Sequence, residues 1–312
     1  MNRMTTRLTP DKELSRHLLA MLAAGAGTIA LASCGGGSAA DTPKVAGSSQ
    51  GVGTVLEPPS PSSVLTIEVA EYGFRTSGSI PAGMTMVQMK NLGQEDHQVQ
   101  FLRLNDGVTL PQVQAAFQLG ERATATLTTL TTLVGGPGTA AGDTSAAMMD
   151  LKAGQYLLAC FIPGRDGIPH AAKGMVLPLQ VTAATAPALP APTTQGMVVM
   201  KEFSYALSVS ALPAGRNMLA VVNEGMQPHE FGLLRLAPGK SAADVTGYFA
   251  ATPTGPPSFA AAGGLTALSP GQRGIAALDL TPGNYAAICF LPDPASGKEH
   301  LQLGMIAGLT VA

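Results

Sequence analysis

The feature that most constrains this sequence is that much of it is written twice. Gly154-Gln-Tyr-Leu-Leu-Ala-Cys160-Phe-Ile-Pro163, followed by His170 and Gly174-Met175, returns as Gly283-Asn-Tyr-Ala-Ala-Ile-Cys289-Phe-Leu-Pro292, followed by His300 and Gly304-Met305. Upstream, Tyr72-Gly-Phe74 corresponds to Phe203-Ser-Tyr205, Ile80-Pro-Ala-Gly83 to Leu212-Pro-Ala-Gly215, and Phe101-Leu-Arg-Leu104 to Leu233-Leu-Arg-Leu236. Asp150-Leu-Lys-Ala-Gly-Gln-Tyr156 likewise matches Asp279-Leu-Thr-Pro-Gly-Asn-Tyr285. The offset of about 130 residues is too long for a solenoid and suits a duplicated domain.

What precedes the first copy is of a different kind. Arg3, Arg7, Lys12 and Arg16 lead into an apolar run that ends in Leu31-Ala-Ser-Cys34, the pattern of a secretory signal, 1-34. Leu-Ala-Ser-Cys resembles the lipobox of bacterial lipoproteins, which implies cleavage before Cys34, diacylglycerol on its sulfur and a chain anchored to a membrane without spanning it. The resemblance further implies a place in the cell envelope, with Gly35 compatible with the outer membrane or its periplasmic face where the host has one. Residues 35-63 hold almost no large apolar side chains and read as a flexible tether. Residues 184-195, rich in Pro, read as a linker, which leaves 64-183 and 196-312 as two domains.

Within each copy, short β-rich runs are separated by turn signals such as Pro81-Ala-Gly, Asn105-Asp-Gly and Lys152-Ala-Gly. In the first copy the runs are Val64 to Ala70, Met84 to Met89, Gln98 to Leu104, Thr124 to Leu127, Ala147 to Leu151, Tyr156 to Cys160 and Met175 to Val181. Many short strands with turns between them predict an all-β chain of two tandem β-sandwiches. One helix is expected in each: near Leu110 to Phe117, and near Ser241 to Phe249 with Ser241 as N-cap. The two Asp-Leu-x-x-Gly-x-Tyr turns have the form of a tyrosine corner, giving Tyr156 and Tyr285 a structural role.

Chemistry-bearing residues are few, and all of them outside the signal and its cysteine fall at matched positions. His97 pairs with His229, Cys160 with Cys289 and His170 with His300, and Asn91 precedes His97 by the same spacing as Asn223 precedes His229. Neighbours differ freely, Asp96 against Pro228 for example, so the copies diverged around these side chains without losing them. Two imidazoles, a thiolate and a distant thioether make a donor set that suits copper in a blue-copper site: the soft sulfur favours copper(I) and imidazole suits both oxidation states.

Asn-x5-His before a strand, then Gly-x-Tyr-x3-Cys, His and Gly-Met, resemble the cupredoxin family over nearly all of 64-183 and 196-312. The resemblance implies Greek-key, cupredoxin-like β-sandwiches and up to two copper ions. His97, Cys160 and His170 would bind one with Met175 axial, and His229, Cys289, His300 and Met305 the other. Phe161 and Phe290 are expected to keep the sites dry. The chain departs from the family pattern in its loops: nine residues separate Cys160 from His170 and ten separate Cys289 from His300. Such loops can turn outward at small entropic cost, as Gly164-Arg-Asp-Gly167 would allow.

These residues point to a membrane-anchored copper-binding module, for electron transfer with a redox protein partner or for holding and transferring copper. The same residues leave open a metal-free β-sandwich lipoprotein with a structural or protein-interaction role, and a Cys160 to Cys289 disulfide in an oxidising compartment. Catalysis is not expected, because no His-x-His or His-Cys-His arrangement is present to build a second type of copper site. Nucleic acid is not an expected partner: 18 basic residues stand against 20 acidic ones, with no basic stripe.

Overall fold

The structure is a computed structural model that describes residues 63–76, 80–184, 191–251 and 255–312. The signal 1-34 with Cys34, the tether up to residue 62 and linker residues 185–190 lie outside the described residues.

In the first half the strands are β1 (Ser63–Ala70), β2 (Gly73–Thr76), β3 (Ile80–Pro81), β4 (Gly83–Asn91), β5 (His97–Gln98), β6 (Gln100–Leu104), β7 (Thr131–Leu133), β8 (Gly138–Thr139), β9 (Thr144–Leu151), β10 (Gly154–Ala159) and β11 (Val176–Thr182). The second half repeats them as β12 (Gly196–Lys201), β13 (Ser204–Leu207), β14 (Ala211–Leu212), β15 (Gly215–Asn223), β16 (His229–Leu236), β17 (Phe259–Leu268), β18 (Arg273–Leu280), β19 (Gly283–Ile288) and β20 (Ile306–Val311). Each half is a sandwich: β2-β1-β4-β9 faces β3-β11-β10-β6-β7 in the first, and β13-β12-β15-β18 faces β14-β20-β19-β16-β17 in the second. The crossovers run β1 parallel to β4 and β3 parallel to β11, and β12 and β14 repeat both pairings with β15 and β20. This is the all-β, cupredoxin-like arrangement that the resemblance implies.

Strand alternation builds the two cores. Leu65, Ile67 and Val69 of β1, Val87 and Met89 of β4 and Tyr156 and Leu158 of β10 point into the first, beside Cys160 and Met175. Val198, Met200, Leu219, Val221, Tyr285 and Ala287 do the same in the second, beside Cys289 and Met305. Each core is closed by a tyrosine corner: the Tyr156 hydroxyl donates to the Lys152 carbonyl and that of Tyr285 to Thr281, both at 2.9 Å.

Both expected helices form. α1 (Leu110–Ala116) starts at Thr109, whose backbone N–H donates to Gln112 Oε1 at 2.8 Å. A second helix of this half, α2 (Ala123–Leu130), lies where the sequence predicts a strand from Thr124 to Leu127. Threonine favours strands, but here Thr128, Thr129 and Thr131 turn their hydroxyls back onto the carbonyls of Ala125, Thr126 and Leu127, while Leu127 packs into the cluster around α1. α3 (Ala242–Ala250) is capped by Ser241, whose N–H and hydroxyl both donate to Asp244 Oδ2.

The halves do not stand apart as two modules on a string. β9 and β18 pair antiparallel, so the two front sheets fuse into one sheet of eight strands, ordered β13-β12-β15-β18-β9-β4-β1-β2. The back sheets touch as well. Val134 bridges Leu268, Gly135 N–H donates to the Ala267 carbonyl at 3.0 Å, and the buried Gln100 amide donates to that carbonyl at 3.0 Å.

Candidate metal centres

Each histidine-bearing loop is shaped by an asparagine. Asn91 Nδ2 donates to the carbonyls of Glu95 (2.8 Å) and Ala140 (3.0 Å), while its Oδ1 accepts the Gly93 N–H. Asn223 makes the same turn, donating to Gln227 (2.7 Å) and Leu268 (2.8 Å) and accepting from Gly225. The chain then enters β5 at His97 and β16 at His229, with both rings facing inward and fully buried.

Cysteine and the second histidine come from the opposite strand end, and the long loops between them fold outward. Pro163 bridges Pro169, Gly164 N–H bonds the Ile168 carbonyl, and the chain comes back so that Ala171 N–H reaches the Cys160 carbonyl at 2.7 Å. Pro292 bridges Glu299 in the same way, and Leu301 N–H reaches the Cys289 carbonyl at 2.9 Å. His170 and His300 each open a single 3₁₀ turn that ends on Gly174 or Gly304 in the left-handed region, a conformation that favours glycine. The following methionine N–H then bonds the histidine carbonyl, at 2.9 Å for Met175 and 2.8 Å for Met305. Met175 and Met305 are fully buried in the same clusters as their cysteines.

The outcome is two matched donor clusters. In the first, His97 Nδ1 and His170 Nδ1 lie 3.0 Å apart, with Cys160 Sγ at 3.8 Å from the one and 3.5 Å from the other. In the second, His229 Nδ1 and His300 Nδ1 are again 3.0 Å apart and Cys289 Sγ is 3.3 Å from His300 Nδ1. The donor atoms of each trio all lie within 4.8 Å of one another, and all six residues are buried. Both cysteines are free, each in its own core, so the alternative of a disulfide between them is not what the structure holds.

Burial sets the protonation states. It holds all four histidines below their ordinary range; His300 drops to about 4, with His229 adding to the effect, so each neutral imidazole keeps a lone pair. Burial also pushes the Cys160 thiol up to about 12 and Cys289 well above its usual value. Two neutral imidazoles and a thiol that stays protonated until a metal displaces its proton to solvent form a set that fits copper, the thiolate being soft and the histidines borderline.

Two carboxylates that the sequence analysis passed over support the first histidines from behind. Glu71 Oε1 lies 3.4 Å from His97 Nε2 and accepts the Gln94 and Glu95 N–H groups; Glu202 Oε1 lies 3.7 Å from His229 Nε2 and accepts those of Met226 and Gln227. A Cβ on Gly225 would fall 2.8 Å from both Glu202 Oε1 and His229 Nε2, which explains a glycine two residues after each asparagine. Their signal was present: Glu71 and Glu202 stand at matched positions just before the Tyr72 and Phe203 repeats. The expectation for Phe161 and Phe290 is corrected. Phe161 stacks on Phe117 and Phe290 packs edge-on against Phe249, so both anchor the helices, whereas the rings over the second histidines are Tyr72, 4.9 Å from His170, and Phe203, 5.1 Å from His300.

One flanking group makes stability depend on pH in the copper-free protein. Glu299 leaves Oε2 buried without a partner among the described residues, and burial, aided by Glu230, raises its pKa to about 7. A carboxyl whose folded pKa is raised favours folding at low pH and loses that contribution as pH rises through the folded value. Glu299→Gln should therefore stabilise the copper-free protein by about 3 kcal/mol at pH 8 and change little at pH 4. The four depressed histidines, unaltered by this substitution, run the other way and lose their contribution as pH falls. Urea unfolding of both proteins at the two pH values checks this; a gain of equal size at both would refute it.

No protein-family model and no curated protein sequence matches the chain. Among solved structures, auracyanin B is 23% identical over 40% of this chain and 91% of its own, with a TM-score of 0.28. An auracyanin from Roseiflexus castenholzii is 21% identical over 37% of this chain and 94% of its own, with a TM-score of 0.25. The copper nitrite reductase of Nitrosomonas europaea is 15% identical over 80% of this chain and 93% of its own, with a TM-score of 0.23. Scores this low decide nothing by themselves; the fold rests on the strand order and the centres on their donor atoms. The expectation of a chain without catalysis is withdrawn: a multicopper oxidase and copper nitrite reductases, which are enzymes, are among these similar structures, and catalysis is left open for this chain.

Proposed function

We propose that this chain is an envelope protein, tethered by lipid on Cys34, that binds copper at both centres and exchanges electrons with a redox protein partner. The observation that supports copper most is the repetition of one buried N₂S donor geometry in two halves whose residues beside the donors differ, Asp96 against Pro228 for example. Bound copper would supply a one-electron couple. The chain's own part is to hold the ligands still: the asparagine turns fix the first histidines, the outward loops return the second ones, and each thiol loses a proton on loading. Electron transfer is favoured over holding and transfer of the metal, because all six ligands are buried and leave no accessible donor for a transfer partner to displace. The visible spectrum of the copper-loaded protein tests this assignment, as a thiolate-to-copper absorption is expected from each centre.

Tethering rests on the motif Leu31-Ala-Ser-Cys34. Diacylation contributes about 0.8 kcal/mol per buried CH₂, so the protein should fractionate with membranes and the Cys34→Ala variant should not. Continued membrane association of that variant at both low and high salt would remove the lipid anchor from the proposal.

A further inference from the structure

The two centres agree in nearly every support except one. In the first half, His170 Nε2 lies 2.8 Å from Glu95 Oε2, and the Glu95 side chain is only 12% exposed. Its other oxygen is 3.6 Å from Arg165 Nε. In the second half the position two residues before the first histidine is Gln227. Its Nε2 donates to Asp293 Oδ1 at 3.1 Å, while Gln227 Oε1 and His300 Nε2 are both buried without a partner among the described residues. One second-histidine ring is thus held by a carboxylate and the other is not.

We infer that Glu95 is a positioning residue that holds His170 and biases the first centre toward oxidised copper, an influence the second centre does not receive from this position. The inference rests on the copper assignment made above. An imidazole that donates Nε2–H to a carboxylate becomes a better electron donor at its other nitrogen. A negative charge one ring away also favours the doubly charged ion over the singly charged one, with little water between to screen it. Arg165 moderates that charge from the solvent side, its own side chain being 57% exposed. Glu202, Glu230 and Glu299 also lie around the second centre, so the comparison that isolates Glu95 is made within the first.

The experiment uses the full-length chain carrying Cys289→Ser, in which copper is held by the first centre. Copper stoichiometry and visible absorption are measured first, and the reduction potential second. Glu95→Gln keeps the shape and an acceptor oxygen but removes the charge. It should lower the preference for copper(II) over copper(I) about tenfold, which for a one-electron couple is about 59 mV upward. Arg165→Gln, a surface change, should move the potential in the opposite direction. Copper bound with an unmoved potential in Glu95→Gln, or both variants shifting the same way, overturns this inference alone. Failure of the unsubstituted protein to bind copper overturns both it and the assignment beneath it.

Discussion

Copper added to the metal-free chain should bind with a stoichiometry of two, and each of Cys160→Ser and Cys289→Ser should remove one equivalent together with its share of the thiolate absorption. The effect is expected to be large because sulfur is the only soft atom in each N₂S trio, and serine, close in size, keeps the cavity but offers copper(I) a poor donor. The single variants should keep the fold, since neither cysteine is in a disulfide. Stability provides a second readout. A ligand that binds only the folded state at a thousandfold excess over its Kd adds about 4 kcal/mol, so calorimetry of the loaded chain should show a melting temperature well above that of the metal-free form, with much of the rise absent in the double variant. A double variant that binds two copper ions as tightly as the unsubstituted protein would dismiss the centres.

The second large effect concerns the junction. Residues 191–312 expressed alone should not behave as an independently stable monomer. Splitting the chain at the linker uncovers the β18 edge and takes away partners from Leu268 and Ile275, both buried in the whole chain. Uncovering each such side chain costs about 1.5 to 3 kcal/mol. Adding the severed interface hydrogen bonds brings the loss to the size of a typical domain's whole stability, about 5 to 15 kcal/mol. The isolated half should therefore melt far below the full chain or self-associate, and adding residues 63–184 should restore it. A monomer that unfolds at the temperature of the full chain would show that the junction contributes nothing.

The parts legible in the sequence were those carried by local pattern and by repetition. The donors were legible because His97, Cys160 and His170 have counterparts at His229, Cys289 and His300 while their surroundings changed. The strands were legible by alternation, as in β1, where Leu65, Ile67 and Val69 face one way. What remained hidden depends on contacts distant in sequence. The α2 segment carries the β-favouring threonines of a strand, and it is helical because their hydroxyls find carbonyls one turn back. Glu71 reaches His97 only through a fold-dependent approach across the Gly93 loop. The Pro-rich linker reads as a spacer between two domains, yet the sheet passes between them through Ala146 to Met148, whose β-rich run carries no sign of a partner in the other half.

The pairing of β9 with β18 has a consequence for assembly. Ala147 meets Ala276, Met148 meets Ile275 and Ala146 meets Ala277. By the offset that relates Cys160 to Cys289, Ala147 and Ala276 are equivalent, and so are Ala146 with Ile275 and Met148 with Ala277. Each strand therefore meets its own counterpart about a local two-fold axis, as in an isologous dimer drawn into one polypeptide. Such a contact is closed, since the patch that makes it is used up on both sides and no third unit can join there to begin a fibre. The outer rims of the combined sheet are then β2 and β13, four residues each, too short to template another chain.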